Sequence, residues 1–142
     1  MEARPMTSLS LEQMNGYIAA SPYIRDWGIT ITAADAAAQT LTMQMPWCAE
    51  GADADGSKTW HGGPVAALLD TAGAFAASMV AGRDCGTVGL NIDYVRPATG
   101  SLTATARVRK AGRTLSTVEV DVVGADGKLC AVGRGVFFVS GG

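Results

Sequence analysis

Between His61 and Gly82 the sequence HGGPVAALLDTAGAFAASMVAG carries one full charge, Asp70. A lone carboxylate among alanines, glycines and aliphatic residues is costly to bury unless it finds a partner or shifts its protonation. It can be a structural group bonded to a backbone N–H or an arginine. It can equally be chemical, acting as a general base or a nucleophile. Eight positions upstream stands a second candidate, the entry HGGP. The first N–H groups of a helix lack intrahelical partners, and the dipole is positive there. Such an entry can hold an anion or a developing oxyanion. Gly62 and Gly63 let a ligand approach the backbone, and Pro64 suits a first turn. His61 is the only histidine. It reads as a cap or packing residue, or as part of the chemistry, but not as a metal ligand, and no metal is expected.

Spacing constrains how these groups can cooperate. At about 1.5 Å per residue, Gly62 and Asp70 lie roughly 12 Å apart along one helix. They cannot both touch one reacting carbon. If both serve one site, the donor and the carboxylate come from different helices, and a second copy of the chain supplies the partner.

The helix that must position them has two unlike faces. At roughly 100° per residue, Leu68, Leu69, Ala72, Ala76 and Met79 fall within about 60° of Val65. The opposite side surrounds Asp70 with Gly63, Ala66, Ala67, Gly73, Ala74 and Ala77, a face on which another backbone can come close. The stretch is the only membrane candidate. Asp70 near its centre and its small residues argue against a span, and no membrane partner is expected.

The rest of the chain reads as strands with one further helix. SLEQMNGYIAA opens with a capping box, Ser10 and Gln13, and predicts a short helix ending before Ser21-Pro22. Residues 27–45 give two short strands around a turn near Ala34-Asp35. In the second of them Leu41, Met43 and Met45 form the buried face. A polar loop, CAEGADADGSKTW, precedes the long helix. After it, TVGLNIDYV, LTATARVR, STVEVDVV and LCAVGRGVFFV predict four strands. In the first, Val88, Leu90, Ile92 and Tyr94 share one face and Thr87 the other. Short turns, among them Asp126-Gly127, predict an antiparallel meander of these four. Six strands and one long helix make an α+β architecture with the helix packed on the sheet.

Bulk composition fits this. The chain has 142 residues, 48% hydrophobic and 17% charged, which suits one globular domain over 1–142 with residues 1–8 as a flexible start. A net charge of -2 gives no reason to expect nucleic acid. Three widely spaced cysteines without a C-x-x-C point to reduced thiols. The segment MEARPMTSLS has no apolar signal core, and a cytoplasmic protein is expected.

HGGPVAALLDTAGAFA, TVGLNIDYVRP and GRGVFFV together resemble the hotdog-fold acyl-CoA thioesterases, closest to the phenylacetate-pathway type. The resemblance runs from about residue 24 to the end and is strongest from His61. It implies an antiparallel sheet wrapped around the helix, dimers that often pair into tetramers, and sites between protomers. It implies an acyl-CoA substrate and no cofactor. It assigns oxyanion binding to the Gly62 N–H, and base or nucleophile to Asp70. In some members a hydroxyl residue helps place the water, and that position here is Thr87, with Asn91 as the marker. Many members carry an asparagine or glutamine six residues before the histidine. Here that residue is Asp55, which cannot donate an amide N–H.

For the CoA nucleotide the local charge suggests Arg107, Arg109, Lys110 and Arg113, with Lys110 and Arg113 as the named candidates. A solvated strand end is the alternative. Met45, Trp47, Trp60, Phe75 and Met79 are candidates to line an acyl pocket or simply the core. Two rivals share the fold: a non-catalytic acyl-CoA-binding module, which would not need Asp70, and an enoyl hydratase or dehydratase, whose histidine base fits the HGG entry less well.

Overall fold

A computed structural model describes residues 8–139. The elements run α1 (Leu11–Ala20), α2 (Pro22–Asp26), β1 (Thr30–Asp35), β2 (Thr40–Met45), α3 (Gly62–Ala81), β3 (Gly86–Tyr94), β4 (Leu102–Ala111), β5 (Leu115–Val123) and β6 (Leu129–Phe138). The expectation of a flexible start falls almost wholly on residues 1–7, outside the described residues. From Leu9 the chain is packed: Leu9 is buried and its N–H donates to the Met79 carbonyl.

The capping box forms as the sequence requires. The Gln13 N–H donates to Ser10 Oγ and the Ser10 N–H to Gln13 Oε1. Met14 is the one buried residue of α1. Sequence reading stopped the helical segment at Ser21. The chain instead starts again as α2, with Ser21 as its cap and Pro22 in its first turn, a start signal present in the sequence.

In β2, Leu41, Met43 and Met45 are buried as their alternation demands. The β1–β2 turn lies slightly later than expected, after Asp35, whose Oδ1 accepts from the Ala38 N–H.

Helix α3 is capped by His61 and ends at Gly82, which takes the left-handed conformation (φ 75°) that suits glycine. Val65, Leu68, Leu69, Ala72, Ala76 and Met79 are at most 1% exposed. Truncating Leu68 or Leu69 to alanine would cost about 2–5 kcal/mol. The helix is long and apolar enough to cross a bilayer, but here it is the core helix, largely buried inside the fold. The small-residue face is covered in part. Gly73 and Ala77 are buried, and a Cβ on Gly73 would stand 2.8 Å from the Phe137 ring. Gly63, Ala66, Ala67, Asp70 and Ala74 keep exposure.

The sheet order is β1-β2-β4-β5-β6-β3, with every pairing antiparallel. This corrects the four-strand meander. Only β4, β5 and β6 form one. β3 crosses to the far side of β6, and β2 takes the place beside β4. Short connections and alternation do not distinguish a next-door strand from one that crosses over. Two edges result, β1 and β3. The β3 edge carries the large exposed apolar side chains Val88, Tyr94 and, just beyond, Val95.

Candidate active site

The entry to α3 is held from both sides. The His61 N–H donates to the Gly51 carbonyl (2.7 Å), and His61 Nδ1 accepts from the Gly63 N–H (2.9 Å). A neutral imidazole that accepts at Nδ1 carries its proton on Nε2. His61 thus caps the helix, one of its two expected roles. Gly62 is the first helical residue, and its N–H has no acceptor among the described residues. Its carbonyl accepts from the Tyr94 hydroxyl (2.8 Å), a contact that sequence reading missed. A groove of about 670 Å³ opens here, lined by Trp60, Gly62, Gly63, Val65, Tyr94 and Pro97 among others. Trp60 is fixed by its indole N–H, which donates to the Gly100 carbonyl (2.7 Å).

Asp70 lies in the next stretch of the same helix, half-buried. Its partner is neither a backbone N–H nor an arginine. The Thr87 hydroxyl donates to Asp70 Oδ1 at 2.7 Å, and among the described residues the carboxylate makes no other hydrogen bond and no ion pair. Thr87 was expected on the face opposite Leu90. A β-bulge reverses this. Thr87 lies opposite Phe137 and Gly89 opposite Val136, so Val88 is the extra residue. Directly paired residues point to one side, and Phe137 is fully buried against the helix. Thr87 therefore faces the helix with Leu90, while Val88 turns out and is 63% exposed. A single inserted residue leaves little trace in an alternation pattern; Gly86 and Gly89 flanking Thr87-Val88 are the available signal.

Nearby, burial pushes the Cys85 thiol pKa up from its ordinary value; a hydrogen bond with Ser78 opposes the rise, and the Asp84 and Asp70 carboxylates add to it. The Cys85 Sγ also donates to the Ala74 carbonyl at 3.3 Å.

One protomer does not bring the other candidates to these groups. Asp55 is exposed at the tip of a small ribbon closed by the Ala52–Trp60 bridge and the Asp53 N–H to Thr59 carbonyl bond. Lys110 and Arg113 are exposed at the other end of the sheet, behind the C-cap of α3, where Arg83 donates to the Arg113 carbonyl. Arg109 pairs with Glu119 at 3.7 Å across the exposed face. Of the apolar candidates, Met45 and Met79 are core, and Trp47 packs edge-on against Trp60. Phe75 lines a cavity.

A helix dipole with one unsatisfied N–H can stabilise negative charge on a carbonyl oxygen, and a carboxylate held by one hydroxyl can activate water or attack. Because α3 is continuous from Gly62 to Ala81, the two halves stand about 12 Å apart in one chain.

Comparison with known proteins bears on which chemistry this serves. A profile of the thioesterase superfamily matches residues 57–131. The chain is 34% identical to acyl-coenzyme A thioesterase PaaI of Escherichia coli over 98 residues, covering 68% of this chain and 64% of that protein. A Halobacterium salinarum protein described as a candidate esterase is 32% identical over 132 residues, covering 82% and 87%. Among solved structures, E. coli PaaI from the phenylacetic acid degradation operon matches with a TM-score of 0.81 at 27% identity, over 94% of this chain and 98% of that one. A thioesterase from Haemophilus influenzae matches with a TM-score of 0.79 at 26% identity, over 94% and 92%.

Proposed function

The chain belongs to the thioesterase superfamily and is a thioester hydrolase of the hotdog fold, and on that premise we propose that it hydrolyses an acyl-CoA to free acid and CoA at sites shared between two subunits. The observation that carries the reading is the pair of half-sites on α3, each tied to one end of the same edge strand. Thr87, near the start of β3, holds Asp70, and Tyr94, at its end, holds Gly62. Pairing β3 with its own copy in antiparallel sense, about a centre near Leu90 and Asn91, brings the Thr87 end of one strand beside the Tyr94 end of the other. Asp70 of one subunit then meets the Gly62 N–H of its partner. Such dimers can pair further into tetramers.

In this reading the thioester carbonyl oxygen sits at the free Gly62 N–H. As the carbonyl carbon becomes tetrahedral, charge builds on that oxygen, and one such donor is worth about 2.7–4 kcal/mol. Asp70 takes a proton from water as it attacks, or attacks itself to give a mixed anhydride that water then opens. Thr87 fixes the carboxylate, and the C–S bond breaks to release CoA as a thiolate, which takes up the proton Asp70 removed from water or, on the anhydride route, a proton of the water that opens the anhydride. Gly63 keeps the entry open to the substrate. Asp55 replaces an amide donor and is proposed to accept a bond from the substrate instead. The three free cysteines suit a reducing compartment, and the cytoplasm is the proposed location.

The test is free thiol released from a panel of aryl-, aliphatic- and enoyl-CoA substrates. Thiol release with the double bond untouched supports hydrolysis. Hydration of the enoyl group without thiol, or tight binding with neither, overturns it.

Lys110 and Arg113 are proposed to meet the nucleotide phosphates. Both are exposed, so each contact is worth less than about 1 kcal/mol. Replacing both with alanine should raise KM for acyl-CoA about fivefold relative to a pantetheine thioester that lacks the nucleotide. Equal loss on both substrates would remove them from the site.

A further inference from the structure

The N–H proposed to hold the oxyanion stands in the least restrained kind of backbone. Gly62 and Gly63 follow one another, and glycine has more conformational freedom to lose than any other residue. They also form the first turn of α3, whose N–H groups have no acceptor within the helix. A donor serves a developing charge best when it is aimed before the reaction begins. The Gly62 N–H must therefore be fixed by bonds that leave it free.

Three hydrogen bonds meet that requirement. The peptide before His61 is held by its N–H, which donates to the Gly51 carbonyl. The peptide joining Gly62 to Gly63 is held at both ends: its N–H donates to His61 Nδ1, and its carbonyl accepts from the Tyr94 hydroxyl. The peptide that carries the Gly62 N–H lies between these two. The Gly51 bond acts ahead of the glycines, and the His61 bond arises within the entry itself. Among the described residues, only Tyr94 ties the glycine pair to the sheet. Its ring also lies against Gly62, with Cζ and the hydroxyl oxygen 3.4 Å from where a Cβ would stand. Tyr94 has a firm base. It pairs with Ala131 of β6, and just beyond it the Val95 and Arg96 N–H groups both donate to the Cys130 carbonyl, at 2.8 and 3.2 Å. Arg96 Nη1 donates in turn to the Leu129 carbonyl at 2.6 Å.

We propose that Tyr94 is a positioning residue of the reaction: its hydroxyl sets the Gly62–Gly63 peptide so that the preceding N–H faces the thioester oxygen, an inference that rests on the hydrolase reading above. It acts through the backbone and requires no contact with the reacting atoms. The same bond makes the oxyanion donor depend on β3, the strand across which the two subunits are proposed to pair.

Tyr94→Phe removes the hydroxyl and keeps the ring against Gly62. For the acyl-CoA that releases thiol fastest, kcat should fall about tenfold, the scale of one lost hydrogen bond, with KM within about twofold of the wild type. The split follows because the oxyanion contact strengthens in the transition state and contributes little to substrate binding. A second readout needs no turnover. In NMR spectra of the free protein with isotope-labelled glycine, Tyr94→Phe should shift the Gly62 and Gly63 amides and speed solvent exchange of the Gly63 amide several-fold. The Gly73 amide, buried in the middle of the helix, is the internal control and should not move. Wild-type kcat in Tyr94→Phe, or a loss confined to KM, overturns the proposal. Unmoved Gly62 and Gly63 amides overturn it whatever the rate, and thiol release by the wild type then leaves the hydrolase standing. Amides that move in a protein that releases no thiol from any acyl-CoA keep the Tyr94 clamp and sink the hydrolase.

Discussion

Asp70→Asn lowers the rate of thiol release about 10²-fold or more and leaves the protein folded, a size typical of losing a positioned base. The substitution suits the site. Asparagine has nearly the same shape, and its amide oxygen can still accept from the Thr87 hydroxyl, the one hydrogen bond Asp70 makes among the described residues. What is lost is the negative charge and with it the basicity or nucleophilicity. Thermal unfolding should shift by only a few degrees, since a neutral bond replaces a charged one at a half-buried position, a change of about 1 kcal/mol. Thr87→Val is the milder companion. It removes the hydroxyl but keeps the carboxylate, and the expected loss is about tenfold, the scale of one hydrogen bond to a charged group. Turnover near that of the wild type in a folded Asp70→Asn protein would end the assignment.

A hybrid of two inactive variants should recover up to half the wild-type activity per dimer. One variant is Asp70→Ala, which lacks the carboxylate. The other is Gly62→Pro, which lacks the N–H that would hold the oxyanion. Each homodimer has two broken sites, whereas the mixed dimer has one site with both defects and one with neither. The structure makes Gly62→Pro a usable variant. Gly62 is the first helical residue, where proline is well accepted. The residue before a proline must be extended, and His61 already is, at φ -60° and ψ 148°. A Cβ at Gly62 would meet the Tyr94 ring no closer than 3.4 Å, an ordinary contact. Co-expression with two tags, tandem purification and thiol-release assay make the measurement. Well-folded hybrids as inactive as their parents would show that donor and carboxylate do not meet across an interface.

Much of the fold was legible where local pattern and burial coincide. The 3.6-residue recurrence from Val65 to Met79 gave the buried face of α3, and the alternation in residues 41–45 and 102–108 gave strand faces. Ser10 and Gln13 gave the first helix start. Strand order was not legible. The pairing of β3 with β6 rather than β4 is decided by long-range packing around α3, and the residues of 87–94 alternate equally well in either place. At the site, the unusual setting of Asp70 and the open entry at Gly62 could be read from residue types. That Thr87 reaches Asp70 could not, because it depends on one extra residue, Val88, in a pairing the sequence does not print. Tyr94 was read as part of a strand face, and its hydroxyl's reach to the Gly62 carbonyl needed the third dimension. The cavity between α1 and α3 was also hidden, since its walls come from segments fifty or more residues apart. Only Phe75 among the apolar candidates lines it.

Helix α1 holds on by little. A helix of 10 residues is marginal in water on its own, and this one buries Met14 alone, with Leu9 just before it tied to the Met79 carbonyl. Its stability is borrowed from those few contacts, while the central strands share theirs with neighbours on both sides. Backbone amides in α1 therefore exchange with solvent through a local opening that leaves the sheet intact, at a free energy well below that of global unfolding. Hydrogen exchange should accordingly label the amides of α1 ahead of those in β4 and β5, so that the outermost layer of the molecule yields while the core stays closed.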